Sequence, residues 1–331
     1  MKKILIIGGA GFIGHNLALA LVNEKFKVEI IDNLEINNLG SLKKNINNLP
    51  HPKLSKKILN ERLFLLKQNK ILLHKQDAKN FLKIQTLLDK IQPNIIIHLA
   101  AVSHANRSNK DPHTTFENSF KTLEHVLEYS KNKVDHFIFS SSSMVYGNFN
   151  NLEAQEDQKC SPIGIYGALK YASEKLIISY NQVFDLPYTI IRPSALYGER
   201  CISRRVGQIF IESALNGSKI MINGDGKEKL DFTYIDDLVQ GFIKAIKNKK
   251  SYNQIFNLTF GKSRSILEMI DLLKDEFPNI KIEKIPRDKL MPIRGTLSID
   301  KARELLNFDP KWPIEKGYPK YINWYNKIFS S

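Results

Sequence analysis

The sequence predicts an α/β protein built on a doubly wound parallel sheet, with a smaller mixed α/β region toward its carboxyl end. Three observations carry this. Short β-branched or aromatic runs alternate with helical patterns through the first two-thirds of the 331 residues. A glycine cluster joins the first such run to the first helix, and an acid ends the second run. After Arg192 the alternation gives way to an irregular pattern of Gly, Pro and Arg clusters. Near-continuous apolar strands separated by helices belong to parallel sheets covered on both faces.

In order, Ile4–Ile7 reads as the first strand, residues 12–24 as a helix, and Val28–Ile31 as the second strand. Residues 35–69, rich in Asn and Lys, read as an insertion, partly helical. A strand-like run at 71–76 precedes a helix over 81–90, the strand Ile95–His98 and a helix over 116–130. Phe137–Ser140 and Thr189–Arg192 complete the strands of this part. A helix over 235–247 and a strand over 255–258 are expected to return to the first sheet. The predicted division is therefore residues 1–193, joined by 235–260, as one domain. Residues 194–234 and 261–331 form a second, ligand-binding one.

The formal net charge is +15. Nucleic-acid or membrane binding is one reading of such a charge. The lysines are scattered, and the richest stretch, Lys43 to Lys75, is interleaved with Asn, Leu and Ile. No zinc-finger or RNA-recognition signature appears, so a lysine-rich surface is preferred and neither nucleic acid nor membrane is expected as partner. A basic protein also suits an anionic small substrate. Cys160 and Cys201 are the only cysteines; two thiols make neither a zinc site nor a disulfide framework, so no metal is expected. No apolar run reaches the ~18–20 residues of a membrane span. Met1-Lys-Lys leads straight into a strand, which predicts a cytoplasmic protein.

The run Gly8-Gly9-Ala10-Gly11-Phe12-Ile13-Gly14 follows a strand and opens a helix. Glycines there permit a tight turn, close approach of backbone to a pyrophosphate, and close helix packing; the helix amino end adds N–H groups and a favourable dipole. Asp32 ends the next strand. A carboxylate there accepts from a ribose diol and repels a 2′-phosphate, which predicts NAD rather than NADP. Asp77-Ala78, at the end of the third strand-like run, has two level readings: an adenine contact or a surface loop. Leu99-Ala100-Ala101 follows the fourth strand, and small residues there let backbone approach a cofactor. His98 reads as structural.

Ser140-Ser141-Ser142-Ser143-Met144-Val145-Tyr146-Gly147 and Tyr166-Gly167-Ala168-Leu169-Lys170 bear the chemistry. On a helix, Tyr166 and Lys170 share a face. A phenol titrates near ~10, and an ammonium within ~4–6 Å lowers such a value by ~1–3 units, the order a tyrosine needs to take a proton from a hydroxyl. Ser142 would hydrogen-bond the same hydroxyl.

These segments, with Asp32-Asn33, the run from His98 to His104, Arg192–Gly198 and the stretch Gly224 to Asp237, occur in the order of a known family. The chain resembles the extended short-chain dehydrogenase/reductases, specifically their nucleotide-sugar epimerase/dehydratase branch. The resemblance implies a Rossmann domain with a small carboxyl-terminal domain, bound NAD, and a nucleoside-diphosphate sugar in the cleft. It makes Tyr166 the base, with Lys170 holding the nicotinamide ribose. It selects Ser142 among its neighbours, since the family's catalytic Ser/Thr lies four residues before the Tyr of its Val-Tyr-Gly run. Around the cofactor it implies Gly8, Gly11, Phe12, Ile13, Gly14, Asp32, Asn33, Asp77, Ala78, Leu99, Ala100 and Ala101, besides Tyr166 and Lys170. Toward the substrate it implies Ser103, Ser142 and Ser143. Relatives dimerise through two helices per subunit, and residues 116–130 and 173–184 match them, implying a homodimer.

The departures narrow the chemistry. Sugar 4,6-dehydratases carry Asp-Glu directly after the catalytic residue; here Ser143 and Met144 stand there, and neither performs the elimination's proton transfers. Ala195 occupies a position where many relatives have Asn, and Leu230 one where Arg is usual. Arg204, Arg205, Arg287 and Arg294 are then candidate diphosphate ligands, each equally well a surface charge. The expected function is NAD-dependent oxidation at the sugar's C4, as a 4-epimerase with a transient 4-keto intermediate. The runner-up is a 4-dehydrogenase releasing the keto sugar, and the remote alternative a non-catalytic nucleotide-binding protein.

Overall fold

The structure, a computed structural model, describes residues 2–45, 50–149 and 153–330. Its centre is a seven-stranded, wholly parallel sheet. The strands are β1 (Lys3–Ile7), β2 (Lys27–Asp32), β3 (Leu72–Lys75), β4 (Ile95–His98), β5 (His136–Ser140), β6 (Tyr188–Arg192) and β7 (Gln254–Asn257). Their order across the sheet is β3-β2-β1-β4-β5-β6-β7. The direction of winding reverses between β1 and β4, and such a switch point opens a crevice at the carboxyl ends of the strands.

Burial on both faces explains the sheet. Ile4, Ile6, Ile30, Ile95, Ile97, Ile138 and Ile191 face one apolar cluster. Leu5, Ile7, Ile31, Ile96, Phe137, Phe139 and Ile190 face another. Successive side chains point to opposite faces, so each strand needs apolar residues at every position. The doubly wound parallel sheet is as the sequence predicts, and the strand expected over 255–258 forms its last member, paired with β6.

Three local differences have physical reasons. The insertion folds into helices Leu39–Asn45 and Pro52–Gln68, with 46–49 outside the described residues. The helix expected over 116–130 starts earlier: Asp111 accepts from the Thr114 N–H at 3.0 Å and Pro112 fills the first turn. Between Pro112–Phe116 and Thr122–Ser130 the chain makes a π-turn over Glu117–Lys121. Beyond Arg192 the irregular sequence contains helices Val206–Leu215, Ile266–Glu276, Asp300–Leu306 and Ile314–Ser330, in addition to the expected Ile235–Lys247. The second of these starts at a capping box between Ser265 and Glu268. The last packs Tyr318, Tyr321 and Tyr325 into the same apolar cluster as one sheet face.

Candidate active site

The glycine turn is set by contact. Gly8 has φ +80°, and a Cβ there would stand 2.7 Å from the Ala100 nitrogen. A Cβ on Gly14 would stand 2.5 Å from the Gly9 Cα, so helix Phe12–Asn23 leaves the turn without clearance for a side chain. Gly11 caps this helix without a side-chain acceptor, which leaves its first N–H groups to a ligand. The turn borders an open cleft.

That cleft gathers Gly8, Gly11, Phe12, Ile13, Gly14, Asp32, Asn33, Asp77, Ala78, Leu99, Ala100 and Ala101 in one wall, together with Ser103 and Arg205. Asp32 Oδ2 accepts from the Ala10 N–H at 3.0 Å and Oδ1 from the Leu34 N–H at 2.7 Å. Burial pushes its carboxyl above the ordinary range, against those two N–H groups and the Arg62 charge. Asp77 and Ala78 belong to the cleft wall rather than to an open loop, with Asp77 Oδ1 accepting from the Lys79 N–H at 2.9 Å. His98 is buried beside Phe137 and Phe139; burial, aided by the Lys170 charge and opposed by the Thr122 backbone, takes it down to about 3, so it is neutral.

Arg62 was invisible as a site residue in the sequence. It comes from the insertion helix and lines the same cleft. Its Nε donates to the Arg200 carbonyl at 2.9 Å, Nη2 donates to the same oxygen, and Nη1 has no partner. Burial lowers it to about 10, with Asp32 among the groups favouring its charge. The available signal was its place on the apolar stripe Leu54, Ile58, Arg62, Leu66, where helical spacing calls for a core side chain.

One strand along, at the carboxyl end of β5, stand Ser142, Tyr166 and Lys170; they lie outside the wall just described. Residues 143–146 form a single 3-10 turn, and the Ser142 hydroxyl accepts from the Met144 N–H at 3.2 Å. Helix Gly164–Phe184 packs its first turn on that loop: a Cβ on Gly167 would stand 2.7 Å from the Met144 carbonyl. Asn109 receives the Ile165 N–H at 3.0 Å and anchors the helix start. Tyr166 and Lys170 are both buried. The Lys170 ammonium donates to the Ser140 carbonyl at 2.6 Å and lies 4.5 Å from the centre of the Phe139 ring. Burial draws it down to about 7, opposed by Glu174.

The four arginines part company. Arg205 donates from Nη2 to the Ser103 carbonyl at 2.6 Å on the cleft wall. Arg294 has an unpartnered, buried Nε; burial lowers it to about 10, Arg205 and Arg287 adding to that and Glu228 opposing. Arg287 pairs with Glu228 and donates to the Met291 carbonyl at 2.9 Å. These three share a neighbourhood. Arg204 is instead committed to Glu212 at 2.7 Å. Ser103 Oγ accepts from Asn37 at 3.2 Å, and the Ser143 N–H binds the Pro193 carbonyl at 2.9 Å. Among the described residues no group of three or more His, Cys, Asp or Glu is placed to hold a metal.

The chain is similar to known proteins in sequence and in fold. The model of the NAD dependent epimerase/dehydratase family matches residues 4–259. A putative UDP-glucose 4-epimerase of Methanocaldococcus jannaschii is 31% identical over 333 residues, 97% of each chain. A UDP-glucuronate 4-epimerase of Thermodesulfobacterium geofontis is 29% identical, covering 98% of this chain and 96% of its own. The crystal structure of UDP-glucuronic acid 4-epimerase from Bacillus cereus, in complex with UDP-glucuronic acid and NAD, superposes with a TM-score of 0.87 at 26% identity. It covers 99% of this chain and 100% of that one.

Proposed function

This chain belongs to the NAD dependent epimerase/dehydratase family, and from that premise we propose that it is an NAD-dependent 4-epimerase of a nucleoside-diphosphate sugar. The observation that carries the reading is Tyr166 and Lys170 on one helix face against the Ser140–Tyr146 loop, with Ser143 and Met144 where an eliminating enzyme needs an acid pair.

The residues present fit NAD. The Gly8–Gly14 turn leaves no room for side chains, its helix end has no side-chain cap, and Asp32 offers a carboxylate to the adenosine ribose. When bound, NAD supplies the acceptor and later the donor of a hydride. Tyr166 takes the proton of the C4 hydroxyl and returns one after the 4-keto sugar has turned over. Ser142 hydrogen-bonds the same hydroxyl. Lys170, held at the Ser140 carbonyl, orients the nicotinamide ribose and favours the phenolate. Arg205, Arg287 and Arg294 form the diphosphate subsite in residues 194–234 and 261–331, while Arg204, next to Arg205 in the chain, is paired with Glu212.

The protein acts as a cytoplasmic homodimer in this proposal. Helices Pro112–Phe116 and Gly164–Phe184 leave Phe116, Val183 and Phe184 exposed at 43%, 69% and 38%. Among the described residues no helix is long and apolar enough to cross a membrane.

Incubation with a panel of nucleotide sugars, followed by NMR of the sugar ring, tests the reading. A 4-epimer formed without net NADH supports it. Accumulating 4-keto sugar with stoichiometric NADH replaces it with the 4-dehydrogenase.

A further inference from the structure

Resting on the reading just given, we propose that Glu174 is a positioning residue of this reaction: it fixes the Ser140–Ser142 backbone from the helix side and so sets where the Lys170 ammonium and the Ser142 hydroxyl stand. Lys170 and Glu174 lie one turn apart on one face of helix Gly164–Phe184. Strand β5 ends at Ser140, and Ser141 and Ser142 follow it directly. Lys170 Nζ donates to the Ser140 carbonyl at 2.6 Å, and the Ser141 hydroxyl donates to Glu174 Oε1. The Ser141 N–H is held on the other side by the Ile191 carbonyl at 2.7 Å. One helical turn therefore grips two consecutive residues, and Ser142 follows directly.

Glu174 is itself immobilised. Arg192, at the end of β6, donates Nε to Oε1 at 3.0 Å and Nη2 to Oε2 at 2.7 Å, with side chains 3% and 1% exposed. A carboxylate so enclosed requires its cation and its hydrogen bonds. Arg192 is anchored in turn by the Glu156 carbonyl at 3.1 Å and the Tyr146 ring at 4.7 Å, and Tyr146 closes the loop that Ser142 opens. Around Lys170, Glu174 on its own helix favours the charged form, and His98 from β4 is a neutral neighbour. Enclosed by protein groups, Glu174 acts through Ser141 and Lys170 rather than by touching the reacting atoms.

The test is an NMR titration of ¹⁵N-lysine-labelled protein, with the Lys170 signal assigned by its loss in Lys170→Met, combined with kinetics. Glu174→Gln is expected to lower the Lys170 titration midpoint by roughly one unit, because the opposing carboxylate is gone. Ser141→Ala leaves the Glu174–Arg192 pair intact. It is expected to keep the midpoint and to lower kcat about tenfold, with KM and the NAD dissociation constant unchanged. Where Glu174→Gln strands Arg192 and fails to fold, the double variant with Arg192→Met removes the stranded cation and gives the same reading. A wild-type midpoint without Glu174, or wild-type kcat in Ser141→Ala, overturns the proposal. The titration needs no substrate. A wild-type protein inert toward every nucleotide sugar would refute the epimerase reading, while the dependence of the Lys170 midpoint on Glu174 would still be measured.

Discussion

Lys170 and Ser140 are joined by a single short hydrogen bond, ammonium to carbonyl at 2.6 Å, at the point where β5 stops being a strand. The bond uses one of the ammonium's three N–H donors, the Phe139 ring lies 4.5 Å away, and burial pulls the group to about 7. An unfolded lysine titrates near ~10.4. Between about 7 and that value the unfolded chain binds one more proton than the folded one, so stability rises with pH across this window and the penalty is complete below it. Lys170→Met removes the titration. The variant is expected to be more stable than the parent at pH 6.5, by ~1–4 kcal/mol, with the gap closing toward pH 9.5. Urea melts at the two values check this; equal gaps at both would show that Lys170 is not the group responsible.

Tyr166→Phe keeps the ring and deletes only the hydroxyl. Turnover is expected to fall by at least ~10³-fold, toward the upper range for removing a general base, while NAD binding changes less than about twofold. Single-turnover kinetics and calorimetry check the two halves. The same panel is expected to give no 4-keto-6-deoxy sugar, because Ser143 and Met144 follow Ser142; that product in the NMR spectrum would contradict the assignment of this loop.

Arg62→Met is expected to weaken NAD binding about tenfold to a hundredfold, the range of a lost charge-assisted donor. The reason is the free Nη1 of a buried guanidinium on the cofactor wall, beside Asp32. Equilibrium dialysis with NAD reads it directly. Unchanged affinity would reduce Arg62 to a tether for the Arg200 carbonyl.

How far the sequence reaches is visible in these residues. The strands of the sheet were legible because both faces are buried, so that Ile4 to Ile7 and Ile95 to Ile97 had to be unbroken apolar runs. The glycine turn was legible because a Cβ at Gly8 or Gly14 would stand 2.5–2.8 Å from backbone atoms, and Asp32 because it ends the strand beside β1. Arg62 was not, because its role depends on an insertion helix whose docking partner, the Arg200 carbonyl, lies 138 residues away. Glu174 was hidden for the same reason: its partners Ser141 and Arg192 sit at the ends of two different strands. The pairing of Arg204 with Glu212, eight residues further on, was not legible either, since charge composition alone carries no such information. Of the helices after Arg192, Ile235–Lys247 was legible from its amphipathic pattern, whereas Val206–Leu215 and Asp300–Leu306 span only 10 and 7 residues and Ile314–Ser330 holds Pro319 inside it, so no long uninterrupted pattern announces them.

Asp231 gives the opposite sign to Lys170 and a separate test. Its Oδ2 accepts from Thr259 at 3.0 Å and from the Leu297 N–H at 3.1 Å, and Oδ1 accepts from the Gly261 N–H at 3.2 Å. It thereby ties the end of β7 to the Thr296–Leu297 strand that follows Arg294. Burial nevertheless raises it to about 6, the three donors opposing. An unfolded aspartate titrates near ~3.9. Between that value and about 6 the folded chain holds the extra proton, so stability falls as pH rises through this window and is level above it. Asp231→Asn abolishes the titration but turns an amide N–H₂ toward a donor, a mismatch of ~1–3 kcal/mol. The variant is therefore expected to be less stable than the parent at pH 4.5 and to recover about 2 kcal/mol of the deficit by pH 6.5. Denaturant midpoints at the two values decide it: a deficit that grows with pH would mean that the buried carboxylate is ionised throughout and stabilises through its three bonds.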